Sequence, residues 1–518
     1  MRVPLTICDF LDRAVTVYGA RPAVVDEPGT AGSLGTVTYR DLDARARGMA
    51  LALERMGVGQ GERVAIVSPN AARFMISFFG VSGFGRVLVP VNYRLNSDEV
   101  QYIIDHSGAS VMLVDPEVDE ALRSVTAKER ILLDGRADEE LFGPAPAGRD
   151  PAEWEADEDS SVSINYTSGT TARPKGVQLT HRNCWLNATT FGWHTGVTDR
   201  DVFLHTLPMF HCNGWGMPYA VTAMGCLQVV QRKVDGEQIL GRIADHGVTL
   251  MCGAPAVVTA ILDAAETRRE RGEDVPGRDR VRIVVAGAPP PSRTIERVGS
   301  ELGWEFIQIY GLTETSPLLT INRSRAEWDD LDGSERARHL SMAGAPAVGV
   351  RIRVDEEGEV LARSNHVFEG YWNQPEETAR ALDGGWFHTG DGGYLTDEDY
   401  LVIADRKKDV IITGGENVSS IEVEDCLYQH PAVAEVAVIG VPHDKWGETV
   451  KALVVLRPGE AATEAELIEF ARGRMAHYKC PTSVEVRPSL VRTATGKLQK
   501  FKLRSPYWEG RDRLVSGG

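Results

Sequence analysis

The chain has 518 residues, a formal net charge of −18 and 25% charged residues. It is too long for one ordinary core and too acidic for nucleic acid to be its main partner. It has no run of about 18 apolar residues and no leader pattern at its start, so neither a membrane span nor a signal peptide is expected. Its seven cysteines are scattered without a CxxC pair, which points to reduced thiols in a cytoplasm.

In chain order, Arg63 to Ser68, Val87 to Val91 and Ser110 to Asp115 predict short buried strands, with helices over Ala71 to Phe84 and Ser97 to His106 between them. Gly57-Val-Gly-Gln-Gly61 precedes a strand instead of following one, so it predicts a helix-to-strand turn, not a dinucleotide loop. The same alternation returns from Val202 to Ile309, with strands near Thr249 to Cys252 and Arg282 to Ala286. This is the α/β pattern of parallel sheets.

From about Met342 the pattern changes to short strands with glycine turns, predicting a small antiparallel barrel or sheet. A charged connection, Ile403 to Asp409, leads into a fresh α+β pattern, with helices at Ser420 to His430 and Glu464 to Met475 and strands at Val433 to Val441 and Thr449 to Leu456. The predicted division is 1–404, a hinge at 405–408, and 409–518.

The segment Asn165 to Val177 is the most informative. Thr167, Ser168, Gly169, Thr170, Thr171 and Lys175 bring hydroxyls, a glycine and a lysine into one loop. Hydroxyls and backbone N–H groups donate to phosphate oxygens, and lysine adds a compact positive charge. Pro174 and Gly176 rule out the P-loop pattern. Taken alone, the loop also reads as a flexible polar turn before a strand.

Four more segments carry chemistry. Tyr310-Gly311-Leu-Thr313-Glu314-Thr-Ser-Pro317 follows a strand and offers a ring, hydroxyls and a hard oxygen ligand for magnesium; alone it reads equally as a capped helix start. Trp386 to Gly393 puts Asp391 in a glycine turn. Asp405 to Asp409 is either a solvated charge run or functional, and Thr493-Ala-Thr-Gly-Lys497 is a basic loop near the end of the chain.

Together, in this order, the five segments resemble the adenylate-forming superfamily over nearly the whole chain: acyl-CoA synthetases, carrier-protein adenylation domains and firefly-type luciferases. The resemblance implies a large N-terminal domain of two α/β lobes plus a small β-barrel, and a smaller, mobile α+β C-terminal domain. It implies that a carboxylate attacks the α-phosphate of ATP–Mg2+ and that a thiol, foremost coenzyme A, then displaces AMP. Lys497 matches the lysine that bridges carboxylate and α-phosphate. Thr167 to Lys175 would hold the outer phosphates, Thr313 the α-phosphate and Glu314 the metal. Asp391 and Arg406 would take the ribose, and Gly287, Ala288, Pro289 and Tyr310 would flank the adenine. Lys408 matches the hinge, and Gly414 and Gly415 a passage for the pantetheine arm.

The Pro208 to Trp215 segment matches the acyl pocket, with His211 as its gate, though a buried structural histidine is a rival reading. The segment is most like fatty acyl-CoA synthetases. Gly214, Gly216 and Gly225 argue for a roomy pocket and a medium- or long-chain acid, with aryl acids as a further option. The alternatives are a carrier-protein or amine acceptor, a small oxyanion in place of the carboxylate, and a non-catalytic nucleotide binder. Homodimers occur among similar enzymes, but no surface stripe demands one here.

Overall fold

The structure is a computed structural model. It describes all residues except 135–137, 168–173, 288–289, 407–408, 414–415, 444–445, 493–497 and 510–518. A seven-stranded sheet runs in the order Gly370–Tyr371, Lys175–Thr180, Ser161–Thr167, Val87–Val91, Arg63–Val67, Val111–Val114, Glu129–Leu132. Its inner strands Arg63–Val67, Val87–Val91 and Val111–Val114 pair in parallel.

These strands are nearly continuous apolar runs because both faces are covered. Val64 and Ile66 enter one core while Ala65 and Val67 enter another, as side-chain alternation along a strand requires. The first of these cores also takes Leu250 and Cys252 from the second large sheet, so it lies between the two sheets. That second sheet has nine described strands and includes Val202–His205, Leu250–Gly253, Arg282–Val285, Glu305–Gly311 and Leu318–Asn322. Phe74, Phe78, Phe79, Phe191 and Tyr219 fill the space between the sheets, each fully buried or nearly so.

The small antiparallel unit is a four-stranded sheet in the order Arg351–Val354, Glu359–Arg363, Phe387–Leu395, Leu401–Arg406. It corrects one expectation. Asp391 lies not in a glycine turn but inside the nine-residue strand Phe387–Leu395, where it pairs with Arg406. Gly390 does have the positive φ of 70° expected of a turn residue, and a register shift follows at Gly392 and Gly393. The glycines thus bend a strand instead of ending it.

The C-terminal part has a core of its own, built from Ile411, Val423, Leu427, Val438, Val450 and Leu467. The long strands Val433–His443 and Gly447–Leu456 form its antiparallel centre. It meets the N-terminal part where Ser292 donates through N and Oγ to Asp425 Oδ1, at 3.1 and 3.3 Å.

Candidate active site

Strand Ser161–Thr167 returns antiparallel as Lys175–Thr180, with Thr167 opposite Lys175. The hydroxyl-rich loop is therefore the connection of a hairpin rooted in the seven-stranded sheet. Ser168, Gly169, Thr170 and Thr171 lie outside the described residues, but the sheet fixes both ends of their loop.

The short strand Gly370–Tyr371 lies against the returning arm, with Tyr371 opposite Val177. This brings in two residues that sequence reasoning missed. Lys175 Nζ sits 4.8 Å from the centre of the Tyr371 ring and 2.5 Å from Glu377 Oε2. The Tyr371 hydroxyl donates to Glu314 Oε1 at 3.0 Å. One tyrosine thus stands between the expected phosphate lysine and the expected metal carboxylate. The available signal was Gly370-Tyr-Trp-Asn-Gln-Pro-Glu-Glu377, a turn-rich aromatic stretch ending in acids.

Glu314 lies in the short 3-10 turn Thr313–Thr315, directly after strand Glu305–Gly311. Its backbone carbonyl accepts from Phe368 N at 2.8 Å, which joins this turn to the segment leading to Tyr371. Gly311 is obligatory here, because a Cβ would overlap the carbonyl oxygen of Pro317. Among the described residues no group of three His, Cys, Asp or Glu side chains is placed to hold a metal. A single partly exposed carboxylate still suits magnesium, which commonly takes one or two carboxylates and completes its shell with phosphate oxygens and water.

Strands Arg282–Val285 and Glu305–Gly311 are parallel neighbours. Gly287 lies just past the first and Tyr310 is the next-to-last residue of the second, so both sit at carboxyl ends of adjacent strands, the usual ligand position in an open α/β sheet. Gly287 is exposed with φ 91°; Ala288 and Pro289 lie outside the described residues. The Tyr310 hydroxyl donates to Asp391 Oδ2 at 2.9 Å. Asp391 is only 4% exposed, so this bond fixes the direction of a largely desolvated carboxylate. For Arg406 only the strand position opposite Asp391 is described. Lys408, Gly414, Gly415 and Lys497 lie outside the described residues.

The Pro208 to Trp215 segment has an unusual backbone. Cys212, Asn213, Gly214, Trp215 and Gly216 have φ of 46°, 52°, 59°, 61° and 74°, a single left-handed turn entered from His211. For residues other than glycine this conformation costs about 1–3 kcal/mol each and persists only where the surroundings enforce it. His211 is partly buried, Phe210, Trp215 and Met217 are buried, and Cys212 Sγ lies 3.9 Å from the Thr313 carbonyl oxygen. Burial pushes the Cys212 thiol well above its usual range, so it stays protonated and unreactive. The turn therefore abuts the segment that carries Thr313 and Glu314.

The three glycines do not open space. A Cβ on Gly214 would meet Pro218 at 3.1 Å, one on Gly216 would meet Asn187 Nδ2 at 2.5 Å, and one on Gly225 would overlap the Tyr18 ring. They serve backbone conformation and close packing, and they are not evidence for a roomy pocket.

Two family models match the chain: AMP-binding enzyme over residues 11–372, and AMP-binding enzyme C-terminal domain over residues 422–497. The chain belongs to the AMP-binding enzyme family. Its relatives include the 4-hydroxybutyrate–CoA ligase 2 of Metallosphaera sedula, 37% identical over 97% of this chain and 94% of that protein. They also include a 2-methylpropanoate–CoA ligase of Humulus lupulus, 35% identical over 97% and 95%. The anthranilate CoA ligase AuaEII, solved with anthranoyl-AMP, superposes with a TM-score of 0.87 at 27% identity over 98% and 99% of the two chains. As a member of the AMP-binding enzymes, the protein is an AMP-forming acid–thiol ligase.

Proposed function

We infer that this AMP-binding enzyme joins a short aliphatic carboxylic acid, of about two to five carbons, to coenzyme A through an acyl-adenylate. Phe210, Trp215 and Met217 are buried around the left-handed turn, and a Cβ on Gly214 or Gly216 would meet close neighbours, so these glycines add no space there; the chain length itself is read from the relatives. The names of the two curated relatives, a branched four-carbon acid and a hydroxylated one, support the same size.

Two anions must meet in the first half-reaction, so catalysis depends on positive groups aimed at the charge that develops. Lys175 and the hairpin N–H groups hold the outer phosphates. Glu314, oriented by Tyr371, holds magnesium, which when bound neutralises phosphate oxygens. Asp391, oriented by Tyr310, accepts from the ribose hydroxyls, with Arg406 beside it in the strand register. Lys497 joins carboxylate to α-phosphate. In the second half-reaction the C-terminal unit, from 409 on, turns about 405–408, withdraws Lys497 and admits the CoA thiol past Gly414 and Gly415. Seven free cysteines suit a cytoplasmic setting, and no described helix is long and apolar enough to cross a membrane.

The test is an acid panel scored by CoA-dependent AMP release. kcat/KM for butyrate and 2-methylpropanoate is expected to exceed that for octanoate, palmitate and benzoate by about tenfold or more, since each misfitting methylene group in a pocket costs about 1–3 kcal/mol. A preference for octanoate, palmitate or benzoate would reverse the size assignment.

A further inference from the structure

Below the acid-side turn, three fully buried polar side chains close a ring. Ser163 Oγ donates to Asn165 Oδ1 at 2.7 Å, Asn165 Nδ2 to Asn213 Oδ1 at 3.1 Å, and Asn213 Nδ2 back to Ser163 Oγ at 2.8 Å. Exposure is 0%, 1% and 1% for Ser163, Asn165 and Asn213. Asn213 Nδ2 also donates to Cys184 Sγ, at 3.9 Å. Two members belong to strand Ser161–Thr167, which runs straight into the phosphate loop. The third is the second residue of the left-handed turn. Asparagine tolerates that conformation better than most side chains, so residue 213 both adopts the strained backbone and ties it to the sheet.

The far end of the turn is tied as well. Asn187, fully buried on helix His181–Thr195, donates through Nδ2 to the Trp215 carbonyl and accepts through Oδ1 from Leu318 N, each at 3.1 Å. The strained segment is thus clamped by side-chain amides at both ends.

We propose that the Ser163–Asn165–Asn213 ring is a positioning device that registers the acid-binding turn against the triphosphate hairpin. Asn213 and Asn165 are its positioning residues. The proposal rests on reading the turn as the acid side and the hairpin as the phosphate side. The strand is held by sheet hydrogen bonds on both sides, whereas the turn is the strained partner. Breaking the ring therefore releases the turn and leaves the hairpin in place, and the effect falls on the acid rather than on ATP.

Three variants separate the causes. Asn213→Gly keeps access to positive φ but removes the side chain, while Asn165→Ala and Ser163→Ala open the ring from the strand and leave the turn's sequence intact. With 2-methylpropanoate as substrate, each is expected to raise the acid KM about tenfold while the ATP KM stays within about twofold. The Asn165→Ala/Asn213→Gly double variant should be no worse than Asn213→Gly alone, because one ring can be broken only once. Unchanged acid KM in Ser163→Ala and Asn165→Ala would overturn the proposal. So would a parallel rise of acid and ATP KM with a matching fall in melting temperature, the pattern of a purely structural ring. If the unmodified enzyme uses another acid of the panel instead, the chain-length assignment fails by itself, and the same variants are compared on that acid.

Discussion

Replacing Lys497 with alanine is expected to slow acid-dependent pyrophosphate–ATP exchange about a thousandfold, the scale on which removing one preorganised donor to developing charge acts. The same variant should convert supplied acyl-adenylate and CoA to thioester at close to the normal rate. The asymmetry follows from the electrostatic problem. In adenylation a carboxylate approaches a polyphosphate inside a protein of net charge −18, so a cation at the point of contact has no substitute from the global field. In thioester formation the nucleophile is sulfur and AMP leaves, so the same cation has no anion pair to bridge. The sign of the effect is set by which half-reaction requires charge neutralisation. Equal losses in both half-reactions would remove the role assigned to Lys497.

The second large effect is expected at Glu314. Glu314→Gln keeps the size of the side chain and an acceptor for the Tyr371 hydroxyl, but removes the negative charge. Adenylation should fall about a hundredfold in kcat/KM, and the magnesium concentration giving half-maximal rate should rise about tenfold. Tyr371→Phe tests the orientation separately. It deletes the 3.0 Å hydrogen bond to Glu314 Oε1 but leaves the ring under Lys175. An outer partner acts on the metal only through the carboxylate it orients, and Tyr371→Phe keeps that carboxylate and its charge, so it should shift the magnesium dependence in the same direction by a smaller factor. A magnesium dependence unmoved by Glu314→Gln would show that the metal is held elsewhere.

The parts of the fold that were legible are those governed by local rules. Arg63–Val67, Val87–Val91 and Val111–Val114 are runs of buried apolar residues, and such runs between helical patterns identify inner parallel strands. The loop between Thr167 and Lys175 and the Tyr310 to Thr315 segment stood out in composition, and the structure places the first at the end of a sheet hairpin and the second just beyond a strand end. Tyr371 and Glu377 were not. Their pairing with Val177 and Lys175 crosses about two hundred residues of chain, and nothing local marks it.

Asp391 was misplaced for a related reason. Gly390, Gly392 and Gly393 mimic a turn, but the neighbouring strand Leu401–Arg406 holds the segment extended. The left-handed turn was the least visible feature. Cysteine and tryptophan are poor residues for positive φ, and the amides of Asn187 and Asn213, both buried by distant parts of the chain, help to hold them there. Tertiary structure overrode local preference at the place where the acid is expected to bind. The same override changed the meaning of Gly214, Gly216 and Gly225, from space in a pocket to tight packing around a strained turn.

All the assignments meet in one geometry: triphosphate along the hairpin that ends at Lys175, metal on Glu314, ribose on Asp391. A crystal structure of the full chain with a non-hydrolysable ATP analogue and magnesium tests it most directly. The expected result has the β- and γ-phosphates between Thr167 and Lys175, the metal on Glu314 and the ribose hydroxyls on Asp391. A nucleotide bound with its phosphates remote from Lys175 and its ribose remote from Asp391 would contradict it.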